Sequence, residues 1–181
     1  MRYFILSLDT NGLPYNNNFD SVDLVSISLL EVDFLTMDIK REFFSTVKNV
    51  KLNGSEKYHG LTQDLIEEYG AESLEDVVVN LIDFLFPNGQ FVDFSTIKFI
   101  ASATSYFTVP MLYKIFSSLE LDIDLNNMID VNDIAKIILF ADNLDEAFDI
   151  VNVECSPKDS LNKVFAIREL IVKIRKEFYG N

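Results

Sequence analysis

Cysteine is nearly absent from this chain. Cys155 is the only one among 181 residues, which excludes an internal disulfide framework and a cysteine-based zinc site. A reducing interior suits such usage, so a cytoplasmic location is expected. No apolar run approaches the roughly 18 residues that a membrane span needs, because Asp or Lys interrupts each one. The opening Met1-Arg2-Tyr3-Phe4-Ile5-Leu6 has one positive charge and no small-residue cleavage site, so it reads as a buried strand rather than a signal peptide. No Pro/Gly/Ser-rich linker, repeat or low-complexity tract divides the chain, and residues 1–181 read as one domain. Basic residues are few: Lys and Arg total 15 against 29 Asp and Glu, a net charge of −14. Neutralising phosphates supplies most non-specific affinity for nucleic acid. The surface as a whole should therefore repel DNA, RNA and anionic lipid, and neither nucleic acid nor membrane is an expected partner.

Hydrophobic residues make up 49% of the chain and charged residues 24%, as in an ordinary globular protein. Residues 2–8 are almost continuously apolar, the pattern of a strand buried on both faces. A loop dense in turn formers, residues 10–18, leads to a second strand from about Leu24 to Val32, where Val25, Ile27 and Leu29 alternate with Ser26 and Ser28. A third strand covers about Asp38 to Val47, and the three suggest an antiparallel meander. Thr62 precedes a short helix, Gln63 to Tyr69, and Ser73 with Asp76 has the capping-box form ahead of a second that ends at Pro87-Asn88-Gly89. A fourth strand is expected at Ile97 to Ala103, a helix from about Pro110 to Leu119, and a fifth strand at Asn127 to Val131. Helical pieces follow at 132–141 and 144–151. Ser156-Pro157 opens a long last helix with Leu161, Val164, Phe165, Leu170, Ile171 and Ile174 inward. The sum is an α/β domain with a mixed sheet.

Several segments together resemble the DEDDh 3′–5′ exonucleases, the family of the proofreading epsilon subunit. Ser7-Leu8-Asp9-Thr10-Asn11-Gly12-Leu13 is similar to the family's D-x-E-T-x-G-L strand end, and Tyr58-His59-Gly60-Leu61-Thr62 to its H-G-I-T turn. Residues 99–112 resemble the V-A-H-N-x-x-F-D-x-x-F-L segment, with Phe107 and Leu112 matching. Ile129-Asp130-Val131 resembles an I-D-T strand, and Lys158-Asp159-Ser160-Leu161-Asn162-Lys163 falls on H-x-A-L-x-D. The resemblance spans essentially the whole chain. It implies an RNase H-like, mixed five-stranded sheet flanked by helices.

The resemblance also implies a chemistry. In the family, four carboxylates hold two Mg²⁺ or Mn²⁺ ions roughly 3.5–4 Å apart, and a histidine deprotonates the attacking water. Here Ser7 falls on the first Asp, Asp9 on the Glu, Thr108 on the second Asp, Lys158 on the His and Lys163 on the last Asp. Neutral hydroxyls compete poorly with water for a hard divalent cation. Lys163 brings a like charge to a metal's place, and an unperturbed lysine, titrating near pH 10.4, stays protonated. No intact catalytic set and no metal are therefore expected, with Asp9 the one candidate metal ligand and a Lys163–Asp9 ion pair the natural replacement. A displaced set using Asp130 or Asp159 is the alternative, and Mg or Mn would then be required.

Other readings stand beside these. Asp9 before a turn is also an ordinary turn or cap acceptor. His59, the only histidine, suits a turn ahead of an N-cap, and Cys155 suits a half-buried spacer. Arg168, Lys173, Arg175 and Lys176 give the last helix a basic end that favours its dipole and a solvated face. Most of the 16 Phe residues belong in a core, while Phe91, Phe94 and Phe107 near loops are candidates for a contact surface. The functional expectation is a pseudo-exonuclease that acts as a protein-interaction or structural module, with a protein partner. The alternative is a divergent metal-dependent 3′–5′ exonuclease on DNA or RNA.

Overall fold

The apolar run at the start of the chain forms β1 (Arg2–Thr10), the central strand of a five-stranded sheet. The computed structural model describes residues 1–16, 18–87, 92–117, 120, 125 and 128–180, with Tyr179 as backbone alone. β2 (Leu24–Val32) and β3 (Ile39–Thr46) continue antiparallel from one side of β1. β4 (Ile97–Ala101) and β5 (Met128–Asp130) lie parallel on the other side, giving the order β3-β2-β1-β4-β5. Alternation along β1 divides the core. Phe4, Leu6 and Leu8 face one layer of helices, α3 (Leu74–Leu85) and α4 (Val109–Ser117). Ile5 faces the other layer, α5 (Val131–Leu139), α6 (Leu144–Ile150) and α7 (Ser160–Tyr179).

Local chemistry fixes the helix starts. Ser73 Oγ accepts the Asp76 N–H at 3.1 Å and caps α3, but the Asp76 carboxylate takes the Ser73 hydroxyl instead of reaching back to its N–H. Two short helices, α1 (Glu56–His59) and α2 (Gln63–Glu68), precede α3, and Thr62 caps α2 through the Leu65 N–H. α1 ends on Gly60 at φ +78, a conformation that favours glycine, and a Cβ at that position would press on Pro157 at 3.2 Å. A π-helical turn at Thr104–Thr108 leads into α4, with Pro110 in its first turn.

Several sequence expectations need correction. The last helix starts at Ser160 with Asp159 as its cap, three residues beyond Pro157, because the Asp159 carboxylate accepts the Asn162 N–H at 2.8 Å. Phe165 is exposed. Ala166 and Ile167 take the inner face with Val164, Leu170, Ile171 and Ile174. Phe94 is buried between Phe86 and Phe116, with ring centroids 5.3 and 5.6 Å away, so it is core and not contact surface. Phe91 and the expected stop at Asn88-Gly89 lie outside the described residues. The basic side chains of α7 are not simply solvated: Arg168 Nε donates to the Met37 carbonyl at 2.6 Å, and Arg175 to those of Phe34 and Leu35. They pin the β2–β3 turn to the helix. No helix among the described residues is long and apolar enough to cross a membrane.

Candidate functional site

Because β1 and β4 are parallel, their carboxyl ends open on the same edge of the sheet, where a crevice forms at the switch in strand direction. Asp9 sits at that end of β1, beside a shift in register between Asp9 and Thr10. Such irregularities re-aim side chains at strand ends. Its side chain points to the α7 side, and the residue is 3% exposed. Asp9 Oδ2 accepts the Ser26 hydroxyl at 2.8 Å and the Ser160 N–H at 2.5 Å, while Oδ1 accepts Lys163 Nζ at 2.8 Å. The carboxylate thus occupies the N-terminal end of a 20-residue helix, where unpaired N–H groups and the dipole favour an anion.

The surrounding hydroxyls form a chain whose direction follows from the carboxylate. An ionised carboxylate only accepts, so Ser26 donates to Asp9. Ser160 Oγ, 2.7 Å from Ser26 Oγ, must then donate to it, and Ser28 Oγ, 2.8 Å from Ser160 Oγ, donates in turn. All three serines are fully buried. Small side chains on β2 let the first turn of α7 approach the sheet, and the hydroxyls satisfy one another where leucines would hold the helix away.

The five positions singled out by the resemblance do not all converge. Ser7, Thr108 and Lys163 line one cavity of about 350 Å³ together with Ser102, Asn132 and Asp145. The Thr108 hydroxyl donates to the Ser102 carbonyl at 2.7 Å. Asn132 Oδ1 is buried in this region without a hydrogen-bond partner among the described residues. Lys158, expected at the position of the general base, lies instead on the exposed side, where Nζ donates to Asp145 at 2.5 Å. That hydrogen bond raises the Lys158 ammonium above its ordinary value and keeps it a cation at neutral pH. Asp145 is a carboxylate of this site that sequence reasoning missed. Its only local signal is its place two residues after Asn143, the cap of α6. Each of the two carboxylates here is therefore held by a lysine.

A second cavity of about 520 Å³ opens on the far side of Lys163 and is lined by Asp9, Leu13, Tyr58, His59 and Phe107. Phe107 stands between the two cavities and packs on Phe19 at 6.1 Å. His59 is buried at the end of α1. Its Nδ1 accepts the Leu61 N–H at 3.0 Å, which assigns the proton to Nε2 and makes Nε2 the donor to Ser55 Oγ at 2.9 Å. Burial depresses its pKa, Asp9 pulls it up, and Lys163 pushes it down again, for a net lowering. His59 is a neutral hinge of the turn.

Neither displaced carboxylate reaches the site as a free ligand. Asp130 caps α5 through the Asn132 N–H at 2.9 Å and also accepts the Thr104 N–H and hydroxyl. Asp159 caps α7 and accepts Asn162 Nδ2 as well. Burial pushes the Cys155 thiol up, which keeps it protonated and inert near neutrality. Among the described residues, no three His, Cys, Asp or Glu side chains are grouped so as to hold a metal ion. Lys163 and the hydroxyls of Ser7 and Thr108, at the positions the resemblance gives to metal ligands, do not fit a pair of divalent cations.

No protein-family model matches the sequence, and no curated protein matches it significantly. Its shape is matched closely. The nuclease domain of 3′hExo, a DEDDh family member solved with bound rAMP, superposes with a TM-score of 0.71 at 13% identity, over 98% of this chain and 92% of that one. This is the DEDDh exonuclease fold. Escherichia coli exonuclease I, solved with a dA16 oligonucleotide, gives 0.75 at 11% identity over 97% of this chain. Cell-death related nuclease 4 gives 0.73 at 14% over 99%. The chain spans 41% of exonuclease I and 64% of the cell-death nuclease. At these identities the likeness concerns the fold. The superposed chain runs with the antiparallel meander first and the long helix last.

Proposed function

We propose that this domain is a pseudo-exonuclease: an exonuclease-like scaffold that does not hydrolyse phosphodiesters and serves as a protein-interaction or structural module, in a nucleic-acid-processing assembly. The observation that carries this reading is the Asp9 carboxylate, whose two oxygens are engaged by Ser26, Ser160 and Lys163. A metal ion binding there would have to displace an ammonium at 2.8 Å that already balances the carboxylate, and would face that like charge nearby. Asp145, which lines the cavity, is likewise held by a lysine, Lys158, although that pair is exposed. The net charge of −14 supports a protein partner over a phosphate backbone.

The test is calorimetric titration with Mn²⁺ and Mg²⁺, followed by incubation of the same sample with a 3′-labelled single strand. The expected result is no saturable binding at millimolar ion and no shortening of the strand. Metal-dependent trimming from the 3′ end that Asp9→Asn abolishes would overturn the reading. It would establish a divergent 3′–5′ exonuclease instead.

A further inference from the structure

Phe140 ends α5 in the left-handed region at φ +57, with its N–H donating to the Ala135 carbonyl. Glycine or asparagine ordinarily takes this position, because a Cβ in that conformation crowds the backbone. The Phe140 side chain is also 85% exposed, and Ile137, one turn earlier on the same side of the helix, is 73% exposed. Val131 and Ala135 cover the inner side of α5, so neither outward residue contributes to the core. Phe140 is unfavourable twice over in the isolated chain, through its backbone and through hydrated apolar surface. Backbone strain and exposed apolar side chains both collect at contact surfaces, and here they coincide in one residue.

The charges around the pair specify the partner. Asp133 lies four residues before Ile137, and Asp142 two residues after Phe140. Glu146 reaches back so that its carboxylate accepts the Asp142 N–H at 2.7 Å, which draws two acids to one rim. All three are exposed, and none has an ion-pair partner among the described residues. Lys136 is the only base on the helix. We infer that Ile137 and Phe140, within the collar of Asp133, Asp142 and Glu146, dock a basic amphipathic segment of a protein partner. Its apolar residues cover the ring and its Lys or Arg side chains meet the carboxylates. A second copy of this chain carries the same net charge of −14, and nucleic acid and anionic lipid are repelled by the same collar. This surface goes beyond the proposed function, since it does not depend on whether the cavity hydrolyses anything.

The probe is a dye-labelled synthetic peptide with Leu and Lys at amphipathic helical spacing, measured by anisotropy on the full chain. A scrambled peptide of the same composition is the control. Saturable binding of the ordered peptide is expected, weakened about tenfold or more by Phe140→Gly and by the triple change Asp133→Asn, Asp142→Asn, Glu146→Gln. Phe140→Gly is expected to fold and to raise Tm by about 2–4 °C, since glycine relieves the left-handed position. Failure of the ordered peptide to bind, equal binding of the scrambled peptide, or equal binding to the glycine variant each overturns the docking surface. A lowered Tm in that variant overturns the strain argument behind it.

Discussion

Lys163 and Asp9 are 154 residues apart in sequence and 2.8 Å apart in space, joining the end of the central strand to the first turn of the last helix. The Asp9 side chain is 2% exposed and that of Lys163 29%, so the two ends of the pair respond differently to loss of the other. A lysine left alone can turn its ammonium to water. A carboxylate left alone stays buried, supported by Ser26 and the Ser160 N–H. Lys163→Met should therefore cost about 1–3 kcal/mol, between the values for exposed and fully buried pairs. Adding Asp9→Asn should recover much of that loss. Urea denaturation of the two single variants, the double variant and the parent measures the coupling. Strict additivity would show that the pair contributes nothing.

His59 makes stability depend on pH in a predictable sense. Burial lowers its folded-state pKa below the ordinary value of about 6.5. The unfolded chain then binds the proton first, so stability is full above about pH 6.5 and falls as pH drops below it toward the folded-state value. Protonation at Nδ1 also ends the hydrogen bond from the Leu61 N–H. In His59→Gln this decline should vanish, while the carboxylates contribute equally to both proteins. Denaturation curves through the mildly acidic range compare the two. Parallel pH profiles would sink the assignment.

Much of the scaffold is legible in local pattern. β1 is legible as an almost continuous apolar run, β2 through the alternation of Val25, Ile27 and Leu29, and α3 through its Ser73 cap, because each depends on neighbours within a few residues. Other features depend on distant partners. Ser26 and Ser28 alternate like residues of a solvated face, yet they are buried against Ser160, more than 130 positions later. Nothing near Asp145 announces that Lys158 will leave the expected catalytic position to pair with it. α1 has four residues, too few for a periodic signal. The Lys163–Asp9 pair was within reach because the family resemblance, not the local sequence, brought the two positions together.

Glu31 is the second buried ionic centre, and it organises the far end of α3. Its carboxylate accepts Arg2 Nε at 2.8 Å and Arg41 Nε at 2.6 Å. Arg2 then donates to the Leu85 carbonyl, and Arg41 to the Phe84 carbonyl at 2.8 Å, so the two guanidinium groups satisfy the last carbonyls of the helix. Burial by itself would raise the Glu31 pKa, but the hydrogen bonds and charges of both arginines outweigh it and hold the carboxyl below its usual range. A depressed carboxylate contributes stability above its unfolded pKa of about 4.3 and loses it as pH falls through the folded value. Glu31→Gln should cost about 2–4 kcal/mol at neutral pH, since it leaves two cations facing one another. The difference from the parent should shrink below about pH 4.3. Thermal melts of the two proteins at neutral and acidic pH test this, and a pH-independent difference would refute it.

Placing carboxylates at the three substituted ligand positions tests whether those side chains decide metal binding. Ser7, Thr108 and Lys163 border one cavity, and Asp9 touches Lys163 directly, so acids at the first three positions would gather around the fourth. Ser7→Asp, Thr108→Asp and Lys163→Asp together remove the ammonium that repels a cation and add three oxygen-donor groups of the kind Mg²⁺ and Mn²⁺ take. Without metal the triple variant should be less stable than the parent, because four carboxylates crowd one end of β1 and Asp9 has lost its counter-charge. With Mn²⁺ at about 100 times its dissociation constant, linkage restores about 2.7 kcal/mol. For a chain of this size that is a rise in Tm of about 5–10 °C. The parent should show no comparable rise over the same titration. A triple variant that keeps the parent's circular dichroism yet gains nothing from Mn²⁺ would mean that the cavity itself, and not only its three side chains, lacks the geometry a metal requires.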